Sequence, residues 1–195
     1  MARLSRISRE QVASDQRRFM DAVPAIRRRH ITGPFIVATN SSPDLAARVA
    51  HLGGYFHDRD QADISILSSH VRCFAAIIGA RALDGVYEWS AWRDLAVAAG
   101  VREEVADAIR DGERPADLTP EESLVYDVVT ELLGDNHRLS EATYQRALEH
   151  FGAQGIVELV ANLAYFSMIA FPLNAFEIDP NSQDAPVLPI APTVP

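Results

Sequence analysis

The chain has 195 residues, an apolar fraction of 48%, a charged fraction of 23% and a formal net charge of −9. These values are typical of one globular domain, long enough to bury about two thirds of its unfolded surface without cross-links. The negative charge argues against general nucleic-acid binding. The single cysteine, Cys73, excludes an internal disulfide framework and an all-cysteine metal site, and it fits a cytoplasmic location.

Arginine is concentrated at the N-terminus, where it occupies eight of the first 30 positions. Such a segment can contact nucleic acid or membrane, but a solvated helix face or a contact with an acidic neighbouring subunit is the simpler interpretation. We therefore expect no nucleic-acid or membrane partner. Charges interrupt Met1 to Met20, so no secretory signal is predicted. We expect a basic helical extension over residues 1–32, a main domain over 33–178 and a proline-rich tail over 179–195.

The first half of the chain carries helix signals in order. Ser8 and Gln11 form a capping-box pattern, which predicts a helix that ends near Val23, before Pro24. A second helix is predicted after Ser42-Pro43, because apolar residues recur there with the helical period at Leu45, Val49, Leu52 and Phe56. Three more helices have start and stop signals: Ser69 to Asp84-Gly85, Val86 to Gly100, and Glu103 to Gly112.

The second half begins with the strongest local signal, the capping box Thr119-Pro120-Glu121-Glu122. Ser140 predicts a helix that stops at Gly152, and a last helix begins near Gln154 and kinks or ends at Pro172. Its apolar run carries Glu158 and Asn162, which favours a core helix over a membrane span. Five prolines follow in the tail, which predicts an extended segment with little to bury, able to lie over a partner. The fold class is therefore all-α, a bundle of six to nine helices.

Several familiar site patterns are absent from the sequence. It contains no phosphate loop, no glycine-rich dinucleotide fingerprint and no Gly-x-Ser-x-Gly motif. None of the six histidines lies within four residues of another, so we expect neither a metal nor an organic cofactor.

The informative segment is Tyr87-Glu88-Trp89-Ser90-Ala91-Trp92. It falls in the first turns of a predicted helix, where the helix N-terminus favours the charged form of Glu88. Trp89 and Trp92 are three residues apart and share one helix face. Taken alone, the pattern is equally well explained by two core aromatic residues and an N-terminal carboxylate.

The flanking sequence favours a more specific interpretation. The run from Ser69-His70-Val71-Arg72-Cys73 to Tyr87-Glu88-Trp89 resembles the core helix pair of the carboxymuconolactone decarboxylase family, within the alkylhydroperoxidase D-like superfamily. That family commonly reads Arg-Glu, an apolar helix, a short turn, then Tyr-Glu-Trp and a histidine. The resemblance covers about residues 33–178. It begins at Gly33-Pro34-Phe35 and Ser42-Pro43-Asp44-Leu45. In the second half of the chain it includes Leu118-Thr119-Pro120-Glu121-Glu122, Ser140-Glu141-Ala142-Thr143-Tyr144, Val157-Glu158-Leu159-Val160 and Leu173-Asn174-Ala175-Phe176-Glu177.

The resemblance also shows where this chain departs from the family. The family's glutamate and histidine, 19 positions apart, correspond here to Cys73 and Trp92, and the peroxidase branch's Cys-x-x-Cys corresponds to Gly85 and Glu88. A dithiol peroxidase needs an attacking and a resolving thiol, so one cysteine cannot run that mechanism within a subunit. The resemblance therefore implies a drier, more aromatic pocket around the one remaining carboxylate, that of Glu88.

Three functional hypotheses follow. The first is a cofactor-independent lyase, isomerase, decarboxylase or cyclase for a small aromatic or polyketide-like molecule, with Glu88 as base and Tyr87 or His137 as proton donor. The second is a catalytically degenerate member that binds a small molecule or a protein partner. The third is a thiol enzyme using Cys73, which is disfavoured because a lone cysteine on an apolar helix is usually inert. The residues expected to bind substrate are Trp92, Cys73, Arg72 and Trp89.

The resemblance also implies a homo-oligomer: a dimer, trimer or hexamer. In addition, the apolar run from Ile156 to Phe171 offers more hydrophobic surface than one small domain readily buries.

Overall fold

The computed structural model describes residues 3–4, 8–27, 41–57, 64–180 and 187–189. Within these ranges the chain forms seven α-helices and no β-strand, which confirms the all-α prediction. The segment Gly33-Pro34-Phe35 lies outside the described residues. The helices are α1 (Arg17–Arg27), α2 (Pro43–His57), α3 (Ser69–Ala82), α4 (Val86–Ala98), α5 (Glu103–Arg110), α6 (Pro120–Leu133) and α7 (Glu141–Ala175).

Helix α3 forms the centre of the main core, and every residue from Cys73 to Ala80 is buried. Its small residues allow close approach: a Cβ atom added to Gly79 would lie 3.1 Å from a methyl carbon of Leu163 on α7. The two helices run in the same direction, because the Arg72 carbonyl accepts a hydrogen bond from Asn162 and the Leu83 carbonyl accepts one from Asn174. Helices α4, α5, α6 and α7 pack around α3.

Side-chain caps begin three of the helices, α3, α6 and α7. The capping box at α6 is formed in full, since Thr119 accepts from the Glu122 N–H and Glu122 accepts from the Thr119 N–H. At α3 the capping side chain is Ser68 and not Ser69 as predicted, because the Ser68 hydroxyl accepts the Val71 N–H. The predicted break at Gly152 is present as a kink with φ of 69° inside α7.

The N-terminal helices differ from the prediction. The capping-box pair at Ser8 starts only a 3₁₀ turn, Arg9–Gln11, and α1 begins later and continues through Pro24 to Arg27. Pro24 lies in the last turn of α1, where its missing N–H removes the helical hydrogen bond to the Met20 carbonyl and only three residues of the helix follow.

Helix α2 is present as predicted, but only part of its predicted apolar face is buried: Phe56 is 3% exposed and Val49 is partly buried. Leu45 and Leu52 are exposed, at 54% and 45%. A small second core contains instead Ala46, Ala47 and Ala50, packed against Val23 of α1. Alanines allow α1 to approach α2 closely, so packing with a neighbouring helix overrides the apolar period of α2.

The described N-terminal arginines make contacts within the chain. The guanidinium of Arg3 donates to the carbonyl of Ala175 and pairs with Glu177, so that it caps the C-terminal end of α7. Arg9 forms a two-pronged ion pair with Asp21. These contacts favour the structural interpretation of the basic segment over a nucleic-acid or membrane contact.

Helix α7 is the one helix among the described residues that is long and apolar enough to cross a membrane by length and composition. Its most apolar window is 56% buried inside the protein. That burial fits the core helix of a soluble protein, as the sequence predicts.

One short segment of the C-terminal tail, residues 187–189, packs on its own chain. Residues 187–189 have no regular secondary structure, but Leu188 is 2% exposed and belongs to the main core cluster. Arg81 donates to the carbonyl of Pro189 and holds the segment in place. The described part of the tail thus contributes one leucine to the main core, a contact that the sequence does not predict.

We expect Leu188→Ala to lower the free energy of unfolding by about 2–4 kcal/mol, through lost apolar burial and the cavity left behind. The adjacent Val187 is 72% exposed, and Val187→Ala should change stability by less than about 0.5 kcal/mol. Urea unfolding followed by circular dichroism measures both values. Equal effects of the two substitutions would show that the tail does not pack as described.

Candidate functional site

The predicted site lies on the α3–α4 helix pair, which is joined by a tight turn. The N–H of Gly85 donates to the carbonyl of Ala80 at 2.7 Å. A Cβ atom added to Gly85 would lie 3.4 Å from that carbonyl oxygen, 3.6 Å from Glu88 Cβ and 3.7 Å from Ala170 Cβ. The first turn of α4 therefore lies directly against α7, at ordinary van der Waals distance.

Glu88 is buried in this first turn of α4, with 4% of its surface exposed. The free N–H groups of a helix N-terminus favour a negative charge there, whereas removal from water disfavours it. Few buried glutamates occur without a structural or chemical role. Glu88 is therefore the strongest candidate for a functional group on the helix pair.

Aromatic side chains form a wall beside this turn. Trp92, one helical turn after Glu88, meets Phe166 of α7 edge to face, with ring centroids 4.9 Å apart. Trp89 is 1% exposed and lies within the main core. Of the two tryptophans, only Trp92 keeps part of its surface accessible, so Trp92 is the one suited to contact a bound molecule.

The aromatic wall continues from Trp92 toward α2. Phe166 lies 5.9 Å from Tyr165, and Tyr165 lies 5.9 Å from Phe56. Phe56 in turn meets Tyr55 edge to face at 5.1 Å. This row joins the main core to a smaller apolar cluster formed by α2 and α7.

The other expected substrate-binding residues lie on α3. Cys73 is 8% exposed and packs in the main core, where a thiol is poorly accessible. The guanidinium of Arg72 donates to the carbonyl of Leu67, a bond that holds the segment before α3. Arg72 thus has a structural partner within the chain.

The two expected proton donors lie in different surroundings. Tyr87 is partly buried against the smaller cluster that contains Phe56 and Tyr165. His137 is exposed on the turn between α6 and α7, in a left-handed conformation with φ of 51°, and its Nδ1 lies 3.1 Å from the Leu132 carbonyl oxygen. His137 therefore lies at the surface, outside the buried cluster that holds Trp89.

Two buried polar residues on α7 were not assigned a role from the sequence. Asn162 is 0% exposed, and its side-chain oxygen has no hydrogen-bond partner among the described residues. Glu158 is 5% exposed and accepts four hydrogen bonds. Glu158, Asn162 and Phe166 lie four residues apart and therefore share one face of α7. The spacing of two polar residues within an apolar run was the signal in the sequence that could have identified them.

The four donors to Glu158 come from three parts of the chain: the Tyr55 hydroxyl at 2.8 Å, the Ser65 hydroxyl at 2.7 Å, the Ile66 N–H at 2.9 Å and the Gln154 amide at 2.8 Å. Burial, the largest single influence, raises the pKa of Glu158, but the four hydrogen bonds together lower it below its usual value. Glu158 is therefore a charged structural residue that links α2 and the segment before α3 to α7.

A third buried carboxylate, Glu122, is 2% exposed and, like Glu158, is structural. His70 bridges it to the end of α4, with Nε2 3.1 Å from the Glu122 carboxylate and Nδ1 3.2 Å from the Ala99 carbonyl oxygen. Among the described residues, no group of three or more histidine, cysteine, aspartate and glutamate side chains could hold a metal ion.

Comparison with solved structures identifies the arrangement of helices. The chain is similar to the alkylhydroperoxidase core of an uncharacterized peroxidase-related protein from Ralstonia eutropha JMP134, with a TM-score of 0.67 over 93% of both chains and 16% sequence identity. The chain has the alkylhydroperoxidase D-like fold. No model of a known protein family matches the chain, and no curated protein matches it in sequence.

The resemblance seen in the sequence is thereby confirmed at the level of the fold. At 16% identity the match carries no conclusion about activity.

Proposed function

We propose that the protein is a cofactor-independent lyase, isomerase, decarboxylase or cyclase in which Glu88 is the base. The observation that carries the proposal is the burial of this carboxylate, 4% exposed, in the helix turn that lies against Ala170 of α7 and one turn from Trp92. A carboxylate held away from water and fixed by a helix is suited to take a proton from a substrate carbon.

The proposed reaction begins with transfer of a proton from a carbon next to a carbonyl group to the Glu88 carboxylate. The electron pair of the broken C–H bond moves into the substrate as an enolate. Return of the proton at another atom completes an isomerisation, and loss of a leaving group completes an elimination. Tyr87, the neighbour of Glu88 on α4, is the proposed proton donor to the developing oxyanion.

The proposed substrate class follows from the aromatic wall. The Trp92 ring is partly accessible and is held edge to face against the buried Phe166, so it offers an aromatic contact that suits aromatic or polyketide-like molecules better than small dicarboxylic acids. The carbonyl-bonded guanidinium of Arg72 supports a substrate without a strongly anionic group.

A binding-only protein is the second candidate. It is favoured by the surface position of His137 and by the carbonyl partner of Arg72, because each removes one expected polar group from the pocket. In that case the aromatic wall binds a small molecule or a protein segment, and Glu88 fixes its orientation.

Hydrogen exchange in heavy water separates the two candidates. The protein is incubated in D₂O with a panel of aromatic and polyketide-like ketones, and loss of substrate C–H signals is followed by proton NMR. The enzyme hypothesis predicts exchange or conversion of at least one compound that binds. Saturable binding of compounds that keep all their C–H signals would favour the binding-only protein.

The aromatic wall is tested by Trp92→Ala, which we expect to weaken ligand affinity by about 10- to 100-fold through lost contact area. A matched control is Tyr144→Ala, which removes another aromatic ring, 38% exposed, from the first half of α7. Isothermal titration calorimetry gives both affinities, at a temperature where thermal unfolding shows each variant to be folded. Equal affinity of Trp92→Ala and wild type would remove Trp92 from the site.

A further inference from the structure

The outer surface of α7 changes character along the helix. In the first turns, from Glu141 to His150, the exposed positions are mostly charged or polar, as on an ordinary solvated helix. From Val157 to Ala175 the only charged residue is Glu158, which is buried. Six of the seven exposed residues in this second stretch are apolar, and the seventh, Asn174, bonds to the carbonyl of Leu83.

These six apolar residues form a regular line. Their spacing alternates between four and three positions, the 3.5-residue period with which one helix packs along another. Val157 is 65% exposed, Met168 is 38% exposed and Phe171 is 58% exposed. We call this line the α7 seam: Val157, Ala161, Ala164, Met168, Phe171 and Ala175.

The α7 seam is complementary to itself. When two copies lie antiparallel about a twofold axis at the level of Phe166, Ala161 faces the partner subunit's Phe171 and Ala164 faces the partner subunit's Met168. Val157 then faces the partner subunit's Ala175. Every layer thus pairs a larger side chain with an alanine, the alternation that lets facing helices interdigitate. A parallel pair would instead place Phe171 against Phe171 and Ala161 against Ala161.

We propose that the α7 seam is a homodimer interface in which two copies of α7 pack antiparallel. A twofold interface requires one surface patch to match itself, and the seam meets this requirement, whereas a different partner would impose no such symmetry. The inference does not depend on whether Glu88 is catalytic.

The size of the seam indicates how strong the dimer is. Its 19 residues extend about 28 Å along the helix, and with a width of about 10 Å the strip outlines about 300 Å² per subunit. A standard stable interface buries about 800 Å² per partner. We therefore expect a dimer with a dissociation constant in the micromolar range. Residues that flank the seam should add to the buried interface area.

Sedimentation velocity over concentrations of about 1 to 200 µM tests the proposal. Wild type should shift from monomer to dimer over this range, and Ala164→Glu should stay monomeric because it places two charges at the centre of the interface. Ala142→Glu, the same change at an exposed position in the first half of α7, should behave as wild type. Circular dichroism checks that each variant is folded.

A compensating pair tests the antiparallel register. Phe171→Ala removes the larger side chain from the two equivalent layers in which Phe171 of one subunit faces Ala161 of the other. It should raise the dissociation constant at least about tenfold. Adding Ala161→Phe to that variant should restore most of the affinity, because the larger residue again faces an alanine. A parallel pair would also regain a layer of two phenylalanines, so a second double variant, Ala161→Lys with Phe171→Glu, separates the orientations. It sets opposite charges face to face in the antiparallel pair and should dimerise, whereas in a parallel pair it sets like charges face to face and should stay monomeric.

The proposal is wrong if wild type is a monomer at about 200 µM, or if Ala164→Glu assembles as wild type does. It is also wrong if the monomer sediments with vesicles of phosphatidylcholine and phosphatidylglycerol while Ala164→Glu does not. That result would assign the seam to a lipid surface.

Discussion

Glu88→Gln is expected to reduce turnover of the true substrate by at least about 100-fold, because it removes the base and keeps the shape of the side chain. The amide is nearly the same size as the carboxylate, so ligand affinity should change little. Stability should also change little, or should rise slightly, because a neutral amide is less costly to bury than a charge. The kinetic constant kcat, the ligand dissociation constant and the melting temperature together distinguish loss of chemistry from loss of structure.

Glu104→Gln is the matched control for this variant. Glu104 also lies in the first turn of a helix, α5, but its side chain is 72% exposed. The control changes the same charge at a comparable helix position outside the buried cluster, so it should leave kcat unchanged. A Glu88→Gln protein that turns over substrate at the wild-type rate would exclude Glu88 as the base and leave the aromatic wall as a binding surface.

The local signals in this sequence predicted helix ends well because capping depends on neighbours in the chain. Thr119, Pro120 and Glu122 need only each other to form their capping box, so their pattern predicts the start of α6 directly. The same holds for Gly100, which ends α4 with φ of 104°, a conformation that glycine adopts without strain.

Features that depend on distant contacts were predicted less well. The apolar period of α2 predicts Leu45 and Leu52 on the buried face, but α1 packs on Ala46 and Ala50 instead. Nothing near Leu188 in the sequence marks it as a core residue, because its contacts lie with helices far away in the chain. A local pattern cannot show which neighbour a face will meet.

The candidate site contains both kinds of residue: those that a local pattern predicts and those that depend on distant contacts. Burial of Glu88 and Trp89 follows from their place in the motif of the α3–α4 helix pair. Phe166, which completes the aromatic wall, comes from α7 and has no local motif. In the sequence, Glu158 and Asn162 only interrupt an apolar run. In the structure, each of them hydrogen-bonds to the backbone of a distant segment, at Ile66 and Arg72.

The second substitution with a large expected effect is at Glu158. Glu158→Ala should lower the free energy of unfolding by about 3–5 kcal/mol at neutral pH. The substitution leaves the buried Ser65 hydroxyl and the partly buried Ile66 N–H without their acceptor. Tyr55 and Gln154 can turn toward water, so they contribute less. Glu149→Ala, at an exposed position on the same helix, should cost less than about 0.5 kcal/mol.

The pH dependence gives this prediction a second readout. Because the pKa of Glu158 is lowered in the folded protein, its contribution to stability is fully present above about 4.5, the ordinary value for a glutamate. The contribution is lost as the pH falls through the lower pKa of the folded state. Glu131 and Asp127 also have lowered pKa values, so acid should still destabilise a variant that lacks Glu158.

Glu158→Gln isolates the charge from the shape. Urea unfolding of wild type and of this variant at several pH values from about 3 to 7 should give a stability difference that is largest at neutral pH and shrinks below about pH 4.5. At acid pH both proteins carry a neutral group at this position, so their curves should converge. A difference that stays constant across the range would mean that the pKa of Glu158 is the same in the folded and the unfolded protein, so that its four donors do not favour the charged form.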